Sequence, residues 1–599
     1  MKELTKQQID YIKENIGKKS KRKLAQELGV DKRVILKYLK KLDTQPEPSA
    51  IPRSDKKPSS FIEFTSKISP KTWTIISVLF IFTVALIVRL IYIQQLNHGY
   101  FWAPFKGGLD DYIFDNWAKE MLRGNWIGDK IIYIYRMPLY VYFLYFTYFL
   151  FGHSYWAVYI IQSLIGATSC VLVYFIGKKL FNRATGLIAG LMIALYGLFL
   201  FYNGMLVGET LGVAITCLAF LLLLLFQEKP KISYLFMGGL FIGLSMLLRG
   251  NMLIVLPFII LWIITFFRDK TASKRASYIF ILLLGVLISV SPIIVRNYIY
   301  EKDFVPITAL GGLNVYIGNA HGADGKYRVV ERISNNASDM IRSSIRVAEE
   351  DVGKKLKPSQ VSNYWLKETL LSIKENGIGP FFSVLIKKTI LFWNSYELPD
   401  IWDYYFFKQY IPILNLPFFS FLTIIPLSLV GIYLSWSQRR NLSLLYVIII
   451  GYMVSLIAVF ITSRYRIQVV PFLAILAAYT VTQIKDILKR GGNKLVICIA
   501  ILIGGILLSN IPIEKVSFET SYNSLAILLK RDGRIEDAID TYNKAIEISP
   551  QYPTPYYNLG ILYRDRGNYD LAISYLEKAV EIAPDFRRAR EKLNELYNK

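Results

Sequence analysis

Trp73–Ile93, WTIISVLFIFTVALIVRLIYI, is the stretch that decides the fold, because it is apolar over the length a helix needs to cross a bilayer. Shortly after it comes Lys106–Asn116, KGGLDDYIFDN, which sets two adjacent acids, Asp110 and Asp111, at the membrane surface. Charged side chains that close to hydrocarbon are costly unless they are paired or used. The pair is therefore a candidate reactive centre. A local reading competes with it: Asp is favoured at helix N-caps, and either acid could simply cap a helix beginning near Tyr112.

Apolar runs of that length recur through the 599 residues, and a composition that is 53% hydrophobic and 15% aromatic excludes an ordinary soluble enzyme. The chain reads as a polytopic, all-α membrane protein. A formal charge of +25 could point to nucleic acid, but basic residues in cytoplasmic loops set the orientation of membrane proteins, and most of the surplus is assigned to topology. The three cysteines, Cys170, Cys217 and Cys498, all lie in apolar runs, so no disulfide framework or CxxC metal site is available. With three histidines, a His-rich metal site is excluded as well. About 70 polar residues precede the first apolar run, which argues against a cleaved signal and for Trp73–Ile93 as an anchor.

Residues 1–43 read as a small cytoplasmic module. In RKLAQELGVDKRVILKYLKKL, Ala25, Gly29, Val34 and Leu39 are spaced as in a helix-turn-helix. A basic module tethered to a membrane can equally meet anionic lipid or a protein, and nucleic acid is not its expected partner. Residues 44–72, rich in Pro, Ser and Lys, form a linker.

Residues 73–513 form the membrane domain. Pro138–Phe151 is short for a span and reads as interfacial or re-entrant. The other runs are Trp73–Ile93, Tyr155–Ile176, Thr185–Tyr202, Leu206–Phe226, Ile232–Leu247, Met252–Phe267, Tyr278–Val295, Ile411–Trp436, Leu442–Ile461, Arg466–Ile484 and Leu495–Ile511, about eleven spans. With Pro138–Phe151 not crossing, every strongly basic short loop falls on one side, as the positive-inside rule requires. The N-terminus is then cytoplasmic and the C-terminus outside, in the plasma membrane. The loop 96–137 and the long segment 297–410 lie outside, the latter with an amphipathic run, PFFSVLIKKTILFW, along the membrane surface.

The tail, 519–599, repeats every 34 residues: Leu525 with Leu559, Gly533 with Gly567, Ala538 with Ala572, Ala545 with Ala579, Pro550 with Pro584. That period and that set of small residues identify tetratricopeptide repeats. Two repeats and a last helix are near the minimum for a stable stack, so docking on the membrane domain or on a protein partner is expected.

The same topology brings Asp110, Asp111, Arg136, Glu209, Arg464 and Arg466 to the outer face. A site joining a membrane-borne donor to an acceptor needs a carboxylate to take a proton and cations to hold a departing phosphate. Asp110 could supply the first, and Arg136, Arg464 and Arg466 the second, since guanidinium offers fork-shaped donors to phosphate oxygens. Arginines at helix ends also snorkel to headgroups without further purpose, and Glu209 could be another cap.

These residues carry a resemblance. LDDYIFDNWAKEML, YRMPLYVYFLYFTYFLFG, KKLFNRATGLIAG, NGMLVGET and TSRYRIQVVPFLAILAA make Trp73 to about Arg490 similar to the lipid-linked-sugar-dependent membrane glycosyltransferases of the GT-C class, in the group of protein O-mannosyltransferases and the aminoarabinose transferase of lipid A. The resemblance implies a polyprenyl-phosphate sugar as donor, a protein, lipid or glycan as acceptor, and inverting transfer with Asp110 as base. It also implies that Glu209 is the second acid. Asp111 stands where Glu is usual, and Arg136–Met137 stand where the aminoarabinose transferase has an acid and a lysine, which moves the phosphate contact to Arg136. No cofactor is implied; the acidic loop leaves room for a divalent cation that nothing in the sequence calls for. Two other classes stay open: a flippase for a lipid-linked saccharide, which usually shows internal repeats, and a membrane-tethered scaffold working through its two ends.

Overall fold

The computed structural model describes residues 8, 11, 12, 25–30, 34, 69–104, 109–129, 133–328, 330–334, 337–400, 402–416 and 419–598. Contacts divide the chain into two units, Met1–Ser69 and Pro70–Lys599. In the first, Ile12 and Ala25 are buried among Tyr11, Leu28 and Val30. Gly29, the glycine expected in the turn, has φ +61°, a left-handed conformation that glycine adopts without steric cost. The rest of the expected helix-turn-helix and the linker up to residue 68 lie outside the described residues.

The regular structure of the second unit's described residues is helical, with one isolated bridge, Tyr196 to Phe419, in place of any sheet. Seven of its described helices are long and apolar enough to cross a membrane: Pro70–Asn97, Tyr155–Leu180, Glu209–Glu228, Ala272–Glu301, Phe421–Gln438, Val470–Lys489 and Gly492–Ser509. Five apolar helices are shorter: Pro138–Phe151, Arg183–Ala194, Ile232–Met246, Met252–Phe266 and Ser443–Ile457. Four of those five were expected as full spans. At about 1.5 Å per residue, a 15-residue helix such as Ile232–Met246 covers about 22 Å of the roughly 30 Å hydrocarbon core. The expected span Thr185–Tyr202 is interrupted: Arg183–Ala194 ends before Tyr196, and Gly197–Asn203 is a separate short helix. Ile411–Trp436 likewise begins with a 3-10 turn, Pro412–Asn415, and becomes helical only at Phe421. Apolar composition marks depth in the membrane and does not mark where a helix stops.

Sequence chemistry explains the well-placed ends. Asn182 in KKLFNR accepts from the Thr185 N–H at 2.9 Å and starts Arg183–Ala194, while Lys178 and Lys179 close the preceding helix at its negative pole. Ile232–Met246 and Ala272–Glu301 approach closely because glycines meet backbone: a Cβ on Gly239 would lie 2.2 Å from the Leu282 carbonyl oxygen, and one on Gly285 2.3 Å from that of Phe236. Between Ala272–Glu301 and Phe421, five described helices of the long segment precede the 3-10 turn: Gly311–Asn319, Ala337–Val352, Pro358–Asn376, the amphipathic Ile378–Trp393 and the single turn Tyr404–Phe407. The tail folds as the 34-residue period requires, in the pairs Glu519–Arg531 with Ile535–Ile548 and Pro553–Asp565 with Tyr569–Ile582, then Arg587–Tyr597. Gly533 and Gly567 turn each pair at φ +77°, and Ala538, Ala545, Ala572 and Ala579 are fully buried where the helices touch.

Candidate active site

Asp110 opens the helix Asp110–Leu122 but does not cap it. The N-cap is Leu109, which makes no side-chain cap bond. The Asp110 carboxylate turns away from its own helix: Oδ1 accepts from Arg136 Nη1, and Oδ2 accepts from Arg464 Nη1 at 2.7 Å. The local reading of this acid is thereby excluded. Asp111 faces elsewhere, its Oδ1 2.8 Å from the Tyr112 N–H, beside Phe101, Tyr159 and Trp402.

Arg136 reaches Asp110 because Pro138, at the start of the next helix, fixes the chain just before it. Asp115 fastens the two helices together: buried, it accepts from Tyr148 Oη at 2.7 Å, Tyr155 Oη at 3.2 Å and Lys119 Nζ at 2.8 Å, and pairs with His153 Nε2 at 2.9 Å. Burial works to raise the Asp115 pKa, but these donors outweigh it and hold the carboxyl below the usual range.

Glu209 begins the helix Glu209–Glu228 and is fully buried, with Oε1 accepting from Arg464 Nε at 2.5 Å and packed against the Arg249 guanidinium. Its Oε2 has no hydrogen-bond partner. Arg464 also donates through Nη1 to Asp400 Oδ2 at 2.9 Å. Arg249 stacks on the Tyr465 ring, 4.6 Å from its centroid. Three acids and three arginines, from six separated positions in the chain, thus share one network.

Burial by itself would raise the Asp110 pKa; Arg136 and then Arg464 overcome it and hold the carboxyl at about 2. Arg464 is pushed the other way, above its usual value, because Asp110 and Asp400 outweigh its own burial. At rest Asp110 is therefore a fully ionised, firmly paired carboxylate.

This network lines a cavity of about 330 Å³, where Asp110, Arg136, Arg249, Arg464 and Tyr465 share the lining with Leu248, Leu253, Ile254, Ile307, Val315 and Val459. The structure brings Asp110, Arg136, Glu209 and Arg464 together as the sequence suggested. It does not bring Arg466 there. That guanidinium is buried beneath the end of Ile378–Trp393, donating to the carbonyls of Leu391, Phe392 and Asn394 at 3.2, 3.1 and 2.6 Å and to Glu397 Oε2 at 2.7 Å, over the face of Phe421. It satisfies carbonyls a helix end leaves without partners.

Sequence reasoning missed Arg249 and Asp400. Arg249 carries the same signal as Arg136, a lone arginine between two apolar runs, and was legible on that ground. Asp400 lies in a loop with no span beside it, and nothing local marks it. Among the described residues no cluster of three or more His, Cys, Asp or Glu side chains could hold a metal ion. Both Asp110 oxygens are engaged by guanidinium groups.

Comparison with known proteins agrees with the resemblance read from the residues. Residues 136–295 match the family model described as dolichyl-phosphate-mannose-protein mannosyltransferase. Residues 517–585 match that of the tetratricopeptide repeat. No curated protein matches the chain. Among solved structures, the oligosaccharyltransferase of Archaeoglobus fulgidus in complex with zinc and sulfate is 14% identical over 76% of this chain and 56% of its own, with a TM-score of 0.40. Archaeal AglB from the same organism, in complex with an inhibitory peptide and a dolichol-phosphate, is 14% identical over 80% of this chain and 60% of its own, with a TM-score of 0.39. This chain therefore spans little more than half the length of these oligosaccharyltransferases. ArnT from Cupriavidus metallidurans, bound to undecaprenyl phosphate, is 11% identical over 78% of this chain and 89% of its own, with a TM-score of 0.31.

Proposed function

We propose that this protein is a membrane glycosyltransferase that moves a sugar from a polyprenyl-phosphate donor to an acceptor hydroxyl on the outer face of the membrane. The observation that carries the reading is the mixed lining of the cavity. Three guanidinium groups and a carboxylate share the lining with aliphatic side chains, which fits an amphiphile with a phosphate head. The family match of residues 136–295 supports the same class.

In this mechanism the donor phosphate takes up Arg136, Arg249 and Arg464. Those cations now serve the phosphate, and Asp110 loses the partners that hold its pKa at about 2. It then accepts the proton of the acceptor hydroxyl. The hydroxyl oxygen bonds to the anomeric carbon from the face opposite the phosphate, the bond from that carbon to the phosphate oxygen breaks, and polyprenyl phosphate leaves with the electron pair. The configuration inverts. The arginines stabilise the charge that grows on the leaving oxygens, a contribution that a dry site makes large. Glu209 and Asp400 hold Arg464 in place for that step. The acceptor is a protein, lipid or glycan, the orientation has the N-terminus inside and the tail outside, and Arg466 is assigned to architecture.

The test is product analysis with purified protein and a panel of polyprenyl-phosphate sugars. Release of polyprenyl phosphate together with a glycosylated acceptor supports the reading. If a lipid-linked saccharide instead crosses proteoliposome membranes intact, with no transfer, the protein is a flippase and the proposal fails.

A further inference from the structure

The tetratricopeptide tail does not hang free from the last span. Phe406, fully buried, meets Phe518 and Tyr522 of the tail at centroid separations of 5.6 and 4.9 Å. Tyr522 Oη donates to Gln409 Oε1 at 3.3 Å. The Arg534 guanidinium stacks on the Tyr100 ring at 4.9 Å and donates to its oxygen at 2.7 Å, and Arg531 donates to the Pro104 carbonyl at 3.5 Å. On the membrane-domain side, Phe101 stacks on Phe407 at 4.1 Å and edges Trp402 at 5.5 Å. Two stretches, 100–104 and 402–410, and the first repeat are thus one aromatic cluster.

Position gives this cluster its meaning. The first stretch leads into Asp110. The second follows Asp400, the acid that shares Arg464 with Asp110. Neither stretch is a span, and neither has a helix of more than four residues to stiffen it. A solenoid also needs its end repeat capped, and two repeats alone are close to the limit of stability. Phe406 packs on Tyr522 and Tyr100 on Arg534, both in the first repeat, so the loops cover that repeat while the tail holds the loops.

We propose that the tail is a positioning device for the site: Tyr522, Arg531 and Arg534 hold the loops 100–104 and 402–410 so that Asp110 and Asp400 meet Arg464 in the geometry the transfer requires. This rests on the proposed transferase function, and the test separates the two. The contact at the far end of the tail, Arg588 with Asp339 at 2.6 Å, lies at the surface and adds little to the docking.

The experiment introduces a protease site at Lys515–Ser517, an exposed connector, in the full-length protein and cuts it after purification. The cut tail is expected to stay bound through size exclusion and to keep turnover. Tyr522→Ala with Arg534→Ala in the same background is expected to release it. Amide exchange at 98–104 and 402–410 should then rise, and kcat should fall about tenfold or more, the scale a small misplacement of a reacting group produces. Arg534→Lys, which keeps a cation over Tyr100, should retain most of both. Release of the tail with unchanged exchange and unchanged kcat overturns the proposal. If the double variant does not accumulate, Arg534→Ala alone in the uncut chain is read by the same exchange measurement, with unaltered protection at 98–104 again overturning it. Should the intact protein transfer no sugar at all, the functional reading falls, while tail retention and exchange still decide the positioning one.

Discussion

Arg464 Nη1 donates to Asp110 Oδ2 at 2.7 Å across 354 residues of chain. The same guanidinium holds Glu209 through Nε at 2.5 Å, so one side chain joins two acids that lie far apart in the sequence.

Replacing Asp110 by Asn is expected to keep the fold and lower transfer by about 10²-fold or more, because the amide retains size but cannot take the proton. The pH profile adds a sign. A carboxyl held at about 2 contributes stability that is present above its unfolded pKa of about 3.8 and is lost as pH falls through about 2. Asp110 therefore produces no acid limb in kcat/KM between pH 5 and 8. A limb in that range that persists in Asp110→Asn belongs to another group, and near-normal turnover in that variant removes Asp110 from the base role.

Lysine substitution separates the arginines. Arg136→Lys, Arg249→Lys and Arg464→Lys keep a charge but lose the fork that matches phosphate oxygens, and at least one should raise the KM for the lipid-phosphate donor without lowering expression. Arg466→Lys should instead lower thermal stability with donor KM unchanged, because its bonds go to backbone carbonyls and Glu397. A donor effect confined to Arg466→Lys would reverse the assignment.

Lys388 makes a prediction about stability. It is fully buried on Ile378–Trp393, donating to Asn319 Oδ1 at 2.7 Å and to the Ile457 carbonyl at 3.0 Å with no carboxylate beside it, and burial pushes its pKa down to about 7. Between pH 7 and its unfolded pKa near 10.5 the unfolded chain binds the extra proton, so stability from this group rises with pH. Tm should climb from pH 7 to 9 more in wild type than in Lys388→Met. Parallel curves for the two proteins would show that Lys388 does not titrate there.

Asp115→Ala removes the buried acceptor of two tyrosines, a histidine and a lysine. Breaking a buried pair in this way costs about 3–5 kcal/mol. The expected result is a lower Tm with loss of the Asp110–Arg136 geometry. A Tm within a degree of wild type would mean the cluster is dispensable.

Topology is tested by thiol labelling in intact cells, in a background lacking Cys170, Cys217 and Cys498. The tail probe belongs at Ser574, which is exposed. A cysteine at Ser574 should react with an impermeant reagent and one at Ser20 should not; the reverse pattern would put the proposed site on the cytoplasmic side.

By itself the sequence determined the membrane class, the tetratricopeptide tail, the short helix Pro138–Phe151 and the acids and arginines worth testing. Each rests on a local regularity: apolar length, a 34-residue period, or charge beside an apolar run. Tertiary structure alone decided that the run Thr185–Tyr202, apolar throughout, breaks before Tyr196. It also decided roles. Arg464 and Arg466 lie two residues apart in TSRYR and look alike in sequence, but the turn Ser463–Arg466 aims one at the Asp110 carboxylate and the other at backbone carbonyls. Which partner a guanidinium finds depends on what distant chain packs beside it. That is a property of the assembled bundle, which no window of sequence contains.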